Sequence, residues 1–220
     1  MRLHLRTTPN IEPIPFNYQR KLTGVLHKWL GANNEEHGET SLYSFSWLQY
    51  TQSDEIGLNC KKGTSFFISF YDVQRLKEVF ANIRTEPEMF CGMFVKDIVI
   101  EDTPDLTQQE QFSLGSPILI KRPVNGKIAE FYYDNPESGK LLEETLRTKM
   151  KLAGIPDDDT LNIAFDLSYA KKKTKLVWYD NISNKANMCP VIIKGSNMTK
   201  QFAWNVGLGN STGVGFGSIY

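Results

Sequence analysis

The sequence predicts an α+β chain made of two similar units. Three observations carry that reading. Short stretches alternate apolar and polar residues, as at Leu3 and Leu5, and the stretches between them carry apolar residues at helical spacing, as at Leu22, Leu26 and Trp29. From Leu3 to Ile100 the elements fall in the order β-α-β-β-α-β, the split unit of ferredoxin-like folds, which also underlies RNA-recognition modules. After a polar stretch, Thr103 to Gln111, a similar order restarts, and 220 residues suffice for two units of about 100 residues each. The expected units are residues 1–103 and 112–220, tandem ferredoxin-like domains with a glycine-rich loop near the C-terminus.

In the first unit, Leu3 and Leu5 mark a strand, and Thr8-Pro9-Asn10 with Pro13 and Pro15 mark a loop. A helix is expected from Asn17 to Leu30, with Tyr18, Leu22, Val25, Leu26, Trp29 and Leu30 as its apolar stripe, Asn17 as cap and Gly31 as stop. A polar loop, Ala32 to Thr40, carries His37. Leu42 to Tyr50 reads as an aromatic strand, with Tyr43, Phe45 and Trp47 better suited to core packing than to base stacking. Ser65 to Phe70 is the next strand. A helix from Asp72 to Ile83 follows, with Val73, Leu76, Val79 and Phe80 on one face, and then a strand from Phe90 to Ile100.

In the second unit, Ser116 to Lys121 and Lys127 to Tyr133 are expected strands around an Asn125-Gly126 turn. Ser138 to Ala153 is a helix with Leu142, Leu146, Met150 and Ala153 inward, stopped by Gly154-Ile155-Pro156. Leu161 to Tyr169 and Lys175 to Asn181 read as a hairpin, which puts Lys171, Lys172, Lys173 and Lys175 at its tip. A strand from Met188 to Lys194, a helix from Met198 to Val206 and a final strand from Phe216 to Tyr220 complete the unit.

Composition excludes several classes. Forty per cent of residues are hydrophobic and 12% aromatic, which rules out global disorder. No apolar run approaches the roughly 20 residues that span a bilayer, and the N-terminal MRLHLRTTPN lacks the apolar stretch of a signal peptide. Three scattered cysteines, Cys60, Cys91 and Cys189, make neither a disulfide framework nor a zinc spacing, so a reducing cytoplasm is expected, with no metal and no cofactor. Lys+Arg and Asp+Glu balance at 25 each, so nucleic-acid binding requires local concentration of positive charge. Lys61-Lys62, Lys121-Arg122 and Lys171–Lys173 with Lys175 provide such clusters, and each is equally compatible with a solvated loop.

Residues 207–217 read GLGNSTGVGFG, with glycine at Gly207, Gly209, Gly213, Gly215 and Gly217. Glycine permits positive φ and close backbone approach, and exposed successive N–H groups form anion-binding nests. The segment is neither a P-loop, which needs Lys-Ser/Thr after its last glycine, nor a dinucleotide fingerprint, which follows a strand and opens a helix. Gly-Leu-Gly, five residues, then Gly-Phe-Gly resembles the C-terminal signature of the repeat-associated mysterious protein superfamily. Within it, the chain resembles the CRISPR-associated endoribonucleases of the sixth Cas family. Ile14-Pro15-Phe16-Asn17-Tyr18 with Leu22 and Val25-Leu26-His27 is similar to that family's first helix. His37 followed by Tyr43-Ser44-Phe45-Ser46-Trp47-Leu48 is similar to its histidine and aromatic strand, and Ser116-Pro117-Ile118 to the opening of its second unit.

The resemblance implies metal-independent cleavage of precursor CRISPR RNA within its repeats, by attack of a ribose 2′-hydroxyl on the adjacent phosphate. It implies His37 as a catalytic residue, and the neighbouring Glu35, Glu36 and Glu39 favour its protonated form, as a general acid requires. His27 takes the place where many members carry an active-site tyrosine and is a candidate base, although its position also suits a solvent-facing helix residue. Many members carry a lysine just before the aromatic strand, where this chain has Thr40-Ser41-Leu42. Phosphate stabilisation is then expected from Arg20, Lys28 or a distant lysine, and RNA binding from the glycine segment and Lys171–Lys173 with Lys175. The implied partners are CRISPR repeat RNA and other Cas proteins of an effector complex, with a monomer or homodimer, no membrane, and a non-catalytic RNA-binding subunit as the alternative.

Overall fold

The computed structural model describes residues 1–31, 40–179 and 181–220. The first unit contains β1 (Arg2–Thr7), α1 (Gln19–Leu30), β2 (Tyr43–Phe45), a small ribbon of β3 (Gln52–Ser53) and β4 (Leu58–Asn59), β5 (Ser65–Phe70), α2 (Val73–Thr85) and β6 (Val95–Glu101). Its antiparallel sheet has the order β2-β5-β1-β6. Period-two alternation divides β1 between the two faces. Leu3 lies opposite Ile68 and Ile100, and Leu5 opposite Phe66 and Ile98, whereas His4 lies between Phe67 and Val99 on the other face. Leu22, Leu26 and Trp29 of α1 and Leu76, Val79 and Ile83 of α2 close over the Leu3/Leu5 face as one core.

Three boundaries differ from expectation for local reasons. Asn17 does not cap α1. Tyr18 occupies the cap position in helical geometry, and its phenol is buried and accepts the Leu48 N–H at 3.1 Å. The aromatic strand is only three residues long, because its ladder to β5 is interrupted at Trp47, whose N–H turns to the Gly115 carbonyl between the Ser46 and Gln49 bonds to Phe67 and Ser65. The last strand starts at Val95 rather than Phe90, because Cys91 and Gly92 at φ 54° and 71° make a tight turn there. Asp72 caps α2 through the Gln74 N–H at 2.8 Å, and Val73, outside the first turn's core contact, is exposed.

The second unit contains β7 (Gln111–Phe112), β8 (Lys121–Val124), β9 (Lys127–Glu130), α3 (Ser138–Leu152), β10 (Asn162–Phe165), β11 (Lys173–Tyr179), β12 (Ile182–Met188), β13 (Val191–Lys194) and α4 (Asn197–Val206), then a single 3-10 turn at Thr212–Val214. Its sheet runs β10-β13-β7. The expected final strand is only a bridge. The N–H groups of Ser113 and Tyr220 each donate to the other residue's carbonyl, and the Gly115 N–H donates to the Ser218 carbonyl. These bonds put the C-terminus beside β7, so the strand order of the first unit recurs. The architecture is α+β with tandem ferredoxin-like units, and the second unit carries two added hairpins.

One pairing is corrected. β10 pairs with β13, whereas β11 pairs with β12, turning at Asn181 with φ 64°. Residues 182–188, ISNKANM, lack the apolar alternation of a strand. Asn187 compensates by donating its amide to the carbonyls of Ile118 and Phe131, both at 3.1 Å. The Lys171–Lys173 cluster therefore enters β11 at the end opposite the hairpin tip, with Lys173 across from Met188.

Arg2 joins the units. Its guanidinium donates to Ser69 Oγ at 2.6 Å and to the carbonyls of Trp204 and Ile219 at 3.1 and 2.8 Å, and it lies between the rings of Phe67 and Trp204. Burial without a contacting carboxylate pushes its pKa down to about 9.

Candidate functional site

The glycine segment is a packed wedge between the units. All five glycines are buried. The N–H groups of Gly207, Gly215 and Gly217 donate to the carbonyls of Ala203, Thr212 and Pro117 at 2.8, 3.3 and 2.8 Å, so these three do not form an open nest. Three positions admit no side chain, and at Gly207, where φ is 71°, a Cβ would meet the Gly217 carbonyl oxygen. At Gly209, φ is 72° and a Cβ would meet the Leu119 carbonyl oxygen. At Gly217, φ is 68° and a Cβ would meet the Leu208 carbonyl oxygen. Gly213 lies against Ser41 and Tyr43, and Gly215 against Phe45 and Trp47.

Strand β2 is the surface on which this wedge rests. Its Tyr43 hydroxyl donates to the Gly213 carbonyl at 3.2 Å, and Ser44 Oγ to the Asn205 carbonyl at 3.1 Å. Just beyond it, Trp47 Nε1 donates to the Gly215 carbonyl at 2.7 Å. Tyr43 and Phe45 are buried, in keeping with core packing. Helix α1 also packs on the 212–214 turn. His27, in the last turn of α1, is half-buried, and Arg20 is exposed two turns earlier. His37 lies outside the described residues. Lys28 is directed elsewhere: its ammonium donates to the Glu88 carbonyl at 2.7 Å.

Lys171 and Lys173 are exposed, Lys172 is half-exposed, and Lys175 places its ammonium 4.7 Å from the centre of the Trp47 ring. The structure thus brings Lys175 to the β2 side of the wedge and leaves Lys171–Lys173 at the far end of the hairpin from its tip.

Beside the wedge is a cavity of about 520 Å³, whose described lining comes from Thr40 and Ser41, from Arg122, from α3 and from residues 209–212. Lys149 of α3 is buried here. Its ammonium donates to the Val206 carbonyl at 3.1 Å and to Thr212 Oγ1 at 2.9 Å, so it ties together the two ends of the loop that follows α4. Desolvation pushes its pKa down to about 7. Arg122 donates to the Leu141 carbonyl and to Thr145 Oγ1, both at 2.6 Å, and to Asn210 Oδ1 at 3.3 Å. Sequence reasoning missed Lys149, although its spacing placed it on the Leu142/Leu146 stripe, where a lysine must bury its charge. Among the described residues, no group of three or more His, Cys, Asp or Glu side chains could hold a metal ion, and no helix is long and apolar enough to cross a membrane.

Comparison with known proteins connects this geometry to a family. Several solved structures share the fold over the whole chain. One described as "CRISPR associated protein Cas6" is 19% identical, with a TM-score of 0.84 over 100% of this chain and 98% of its own. A Cas6-related protein from Pyrococcus furiosus is 21% identical, with a TM-score of 0.85 over 100% and 97%. A structure described as "An RAMP protein binding different RNA substrates" is 20% identical, with a TM-score of 0.83 over 100% and 98%. A comparison with curated proteins gave no match. The family described as "CRISPR associated protein Cas6, C-terminal" matches residues 101–220, which hold α3, Arg122 and every glycine of the wedge, and on that match the chain belongs to the Cas6 family.

Proposed function

We propose that this Cas6-family protein cuts precursor CRISPR RNA within its repeats by metal-independent transesterification. One observation carries the reading. The helix that bears His27 and the strand that follows the His37 loop both rest on the same turn of the glycine segment. A base takes the proton of a ribose 2′-hydroxyl, and that oxygen bonds to the adjacent phosphorus. The bond from phosphorus to the 5′-oxygen breaks, and an acid protonates the leaving oxygen. The products are a 2′,3′-cyclic phosphate and a 5′-hydroxyl. His37 is assigned as the acid and His27 as the base, since imidazole titrates near pH 6.5. The glycine wedge holds α1 and β2 against one turn. Lys175, with Lys171–Lys173 and Arg20, supplies phosphate contacts along the RNA.

In this reading, residues 1–103 and 112–220 are the two domains. The protein works in the cytoplasm as a monomer or homodimer, with CRISPR repeat RNA and other Cas proteins as partners. The test is cleavage of the cognate repeat RNA in EDTA by wild type, His37→Ala and His27→Ala, with the product ends identified. A cyclic phosphate formed by wild type and lost in His37→Ala supports the enzyme. Tight binding with no cut by wild type supports the second reading, a non-catalytic RNA-binding subunit. That alternative is favoured by one feature, the absence of lysine from Thr40-Ser41-Leu42.

A further inference from the structure

We propose that the cavity between α3 and the glycine wedge is an oxyanion site that holds one phosphate of the bound RNA, with Lys149 as its principal donor. The choice of RNA as the source of that phosphate rests on the function proposed above. The cavity itself stands on its own geometry.

Three features point to an anion. First, among the described residues the wall carries two cations, Lys149 and Arg122, against one carboxylate, Glu144, whose nearest oxygen is 4.0 Å from Arg122 Nε. Second, most of the remaining described wall is hydroxyl: Thr145 and Thr148 donate to the carbonyls of Leu141 and Glu144 in their own helix, which leaves Thr40, Ser41, Ser211 and Thr212 as the hydroxyl donors of the site. Hydroxyls and ammonium groups are the donors that phosphate oxygens accept. Third, Lys149 is 3% exposed and spends two N–H groups on Val206 and Thr212, whereas an ammonium has three donors. A buried lysine with no contacting carboxylate is costly in its charged form, and an anion in the cavity relieves that cost. Arg122 is already committed to Leu141, Thr145 and Asn210, so it contributes field and shape more than free donors.

The position also fits a role in the reaction. Thr40 and Ser41 follow His37 by three and four residues in the chain, and the stretch that begins with them contains no lysine. Lys149 reaches the same cavity from the second unit. One lysine thus holds the wedge and lines the space where a phosphate would sit.

The test uses sulfate, which carries the charge of a phosphate dianion and does not titrate near neutral pH. Sulfate is titrated at pH 7 into ¹⁵N-labelled wild type, Lys149→Met and Thr148→Glu, following the amide signals of residues 209–213. Saturable shifts are expected for wild type, and their loss for Lys149→Met. Thr148 is exposed on the cavity rim, so Thr148→Glu keeps the fold and places a like charge beside the anion; it should weaken sulfate at least about tenfold. This second variant decides the matter if Lys149→Met fails to fold. No saturable shift in wild type, or equal binding by Thr148→Glu, overturns the proposal. The same three proteins are assayed on repeat RNA. Sulfate binding at residues 209–213 without any RNA cleavage by wild type leaves the cavity assignment intact and removes the nuclease reading. Normal cleavage by wild type and Thr148→Glu with no sulfate binding does the reverse.

Discussion

Replacing Gly217 by alanine tests whether the glycine wedge is built on close backbone approach. Gly217 has φ 68°, and a Cβ there would collide with the Leu208 carbonyl oxygen. The glycine's N–H donates to Pro117, and its carbonyl accepts the Leu208 N–H, each at 2.8 Å. Left-handed geometry costs an L-residue about 1–2 kcal/mol. Overpacking a filled interior adds about 1–3 kcal/mol. Separating the two segments enough to admit the methyl group weakens the Leu208–Gly217 bond, worth about 1 kcal/mol. The sum is about 3–6 kcal/mol, a large part of a typical stability of roughly 5–15 kcal/mol. Urea unfolding followed by circular dichroism measures it, with Gly126→Ala as the control. Gly126 also has positive φ, 76°, but a Cβ there meets nothing within 4 Å, so only the conformational cost of about 1–2 kcal/mol applies. If Gly217→Ala is no more destabilising than Gly126→Ala, the close-approach argument is wrong.

Three further outcomes are expected. Arg2→Met strands the Trp204 and Ile219 carbonyls and Ser69, and should lower stability by about 2–5 kcal/mol, seen as a lower urea midpoint. Lys149 has a folded-state pKa pushed down to about 7, against 10.5 unfolded, so the folded state binds fewer protons between those values and stability rises with pH there. The stability difference, wild type minus Lys149→Met, should therefore grow by about 2 kcal/mol from pH 7 to pH 9, read from urea midpoints, and a flat difference would show the ammonium keeps its proton. Lys175→Ala should weaken RNA binding and reduce the steepness of its salt dependence by about 0.7, whereas an unchanged slope would remove Lys175 from the phosphate contacts.

Much of the fold was legible because its periodicities are regular. Leu22, Leu26 and Trp29 mark α1, and Ser65–Phe70 is observed as expected, since buried central strands and amphipathic helices declare themselves by spacing. Residues 182–188 were not legible as a strand, because Asn184 and Asn187 are held by side-chain hydrogen bonds to backbone rather than by apolar alternation. The glycine segment was legible as a special loop but not in its manner of use. Counting glycines shows that backbone can come close to something, and only the fold shows that at Gly209 and Gly217 that something is the carbonyl of Leu119 or Leu208. The same ambiguity hid Lys149. On a helical wheel it falls on the Leu142/Leu146 stripe, but what it holds there comes from Val206 and Thr212, which lie 57 and 63 residues away in sequence. A pattern made by contacts that distant leaves each residue looking ordinary in its own stretch of chain. The wedge glycines, α1 and Lys149 therefore have to be perturbed as a unit: a variant that loosens the wedge moves Thr212, and with it both the Lys149 ammonium and the turn on which the His27 helix packs. Gly217→Ala should on that account impair RNA processing by more than its loss of folded protein explains, and activity that simply tracks the folded fraction would separate the wedge from the chemistry.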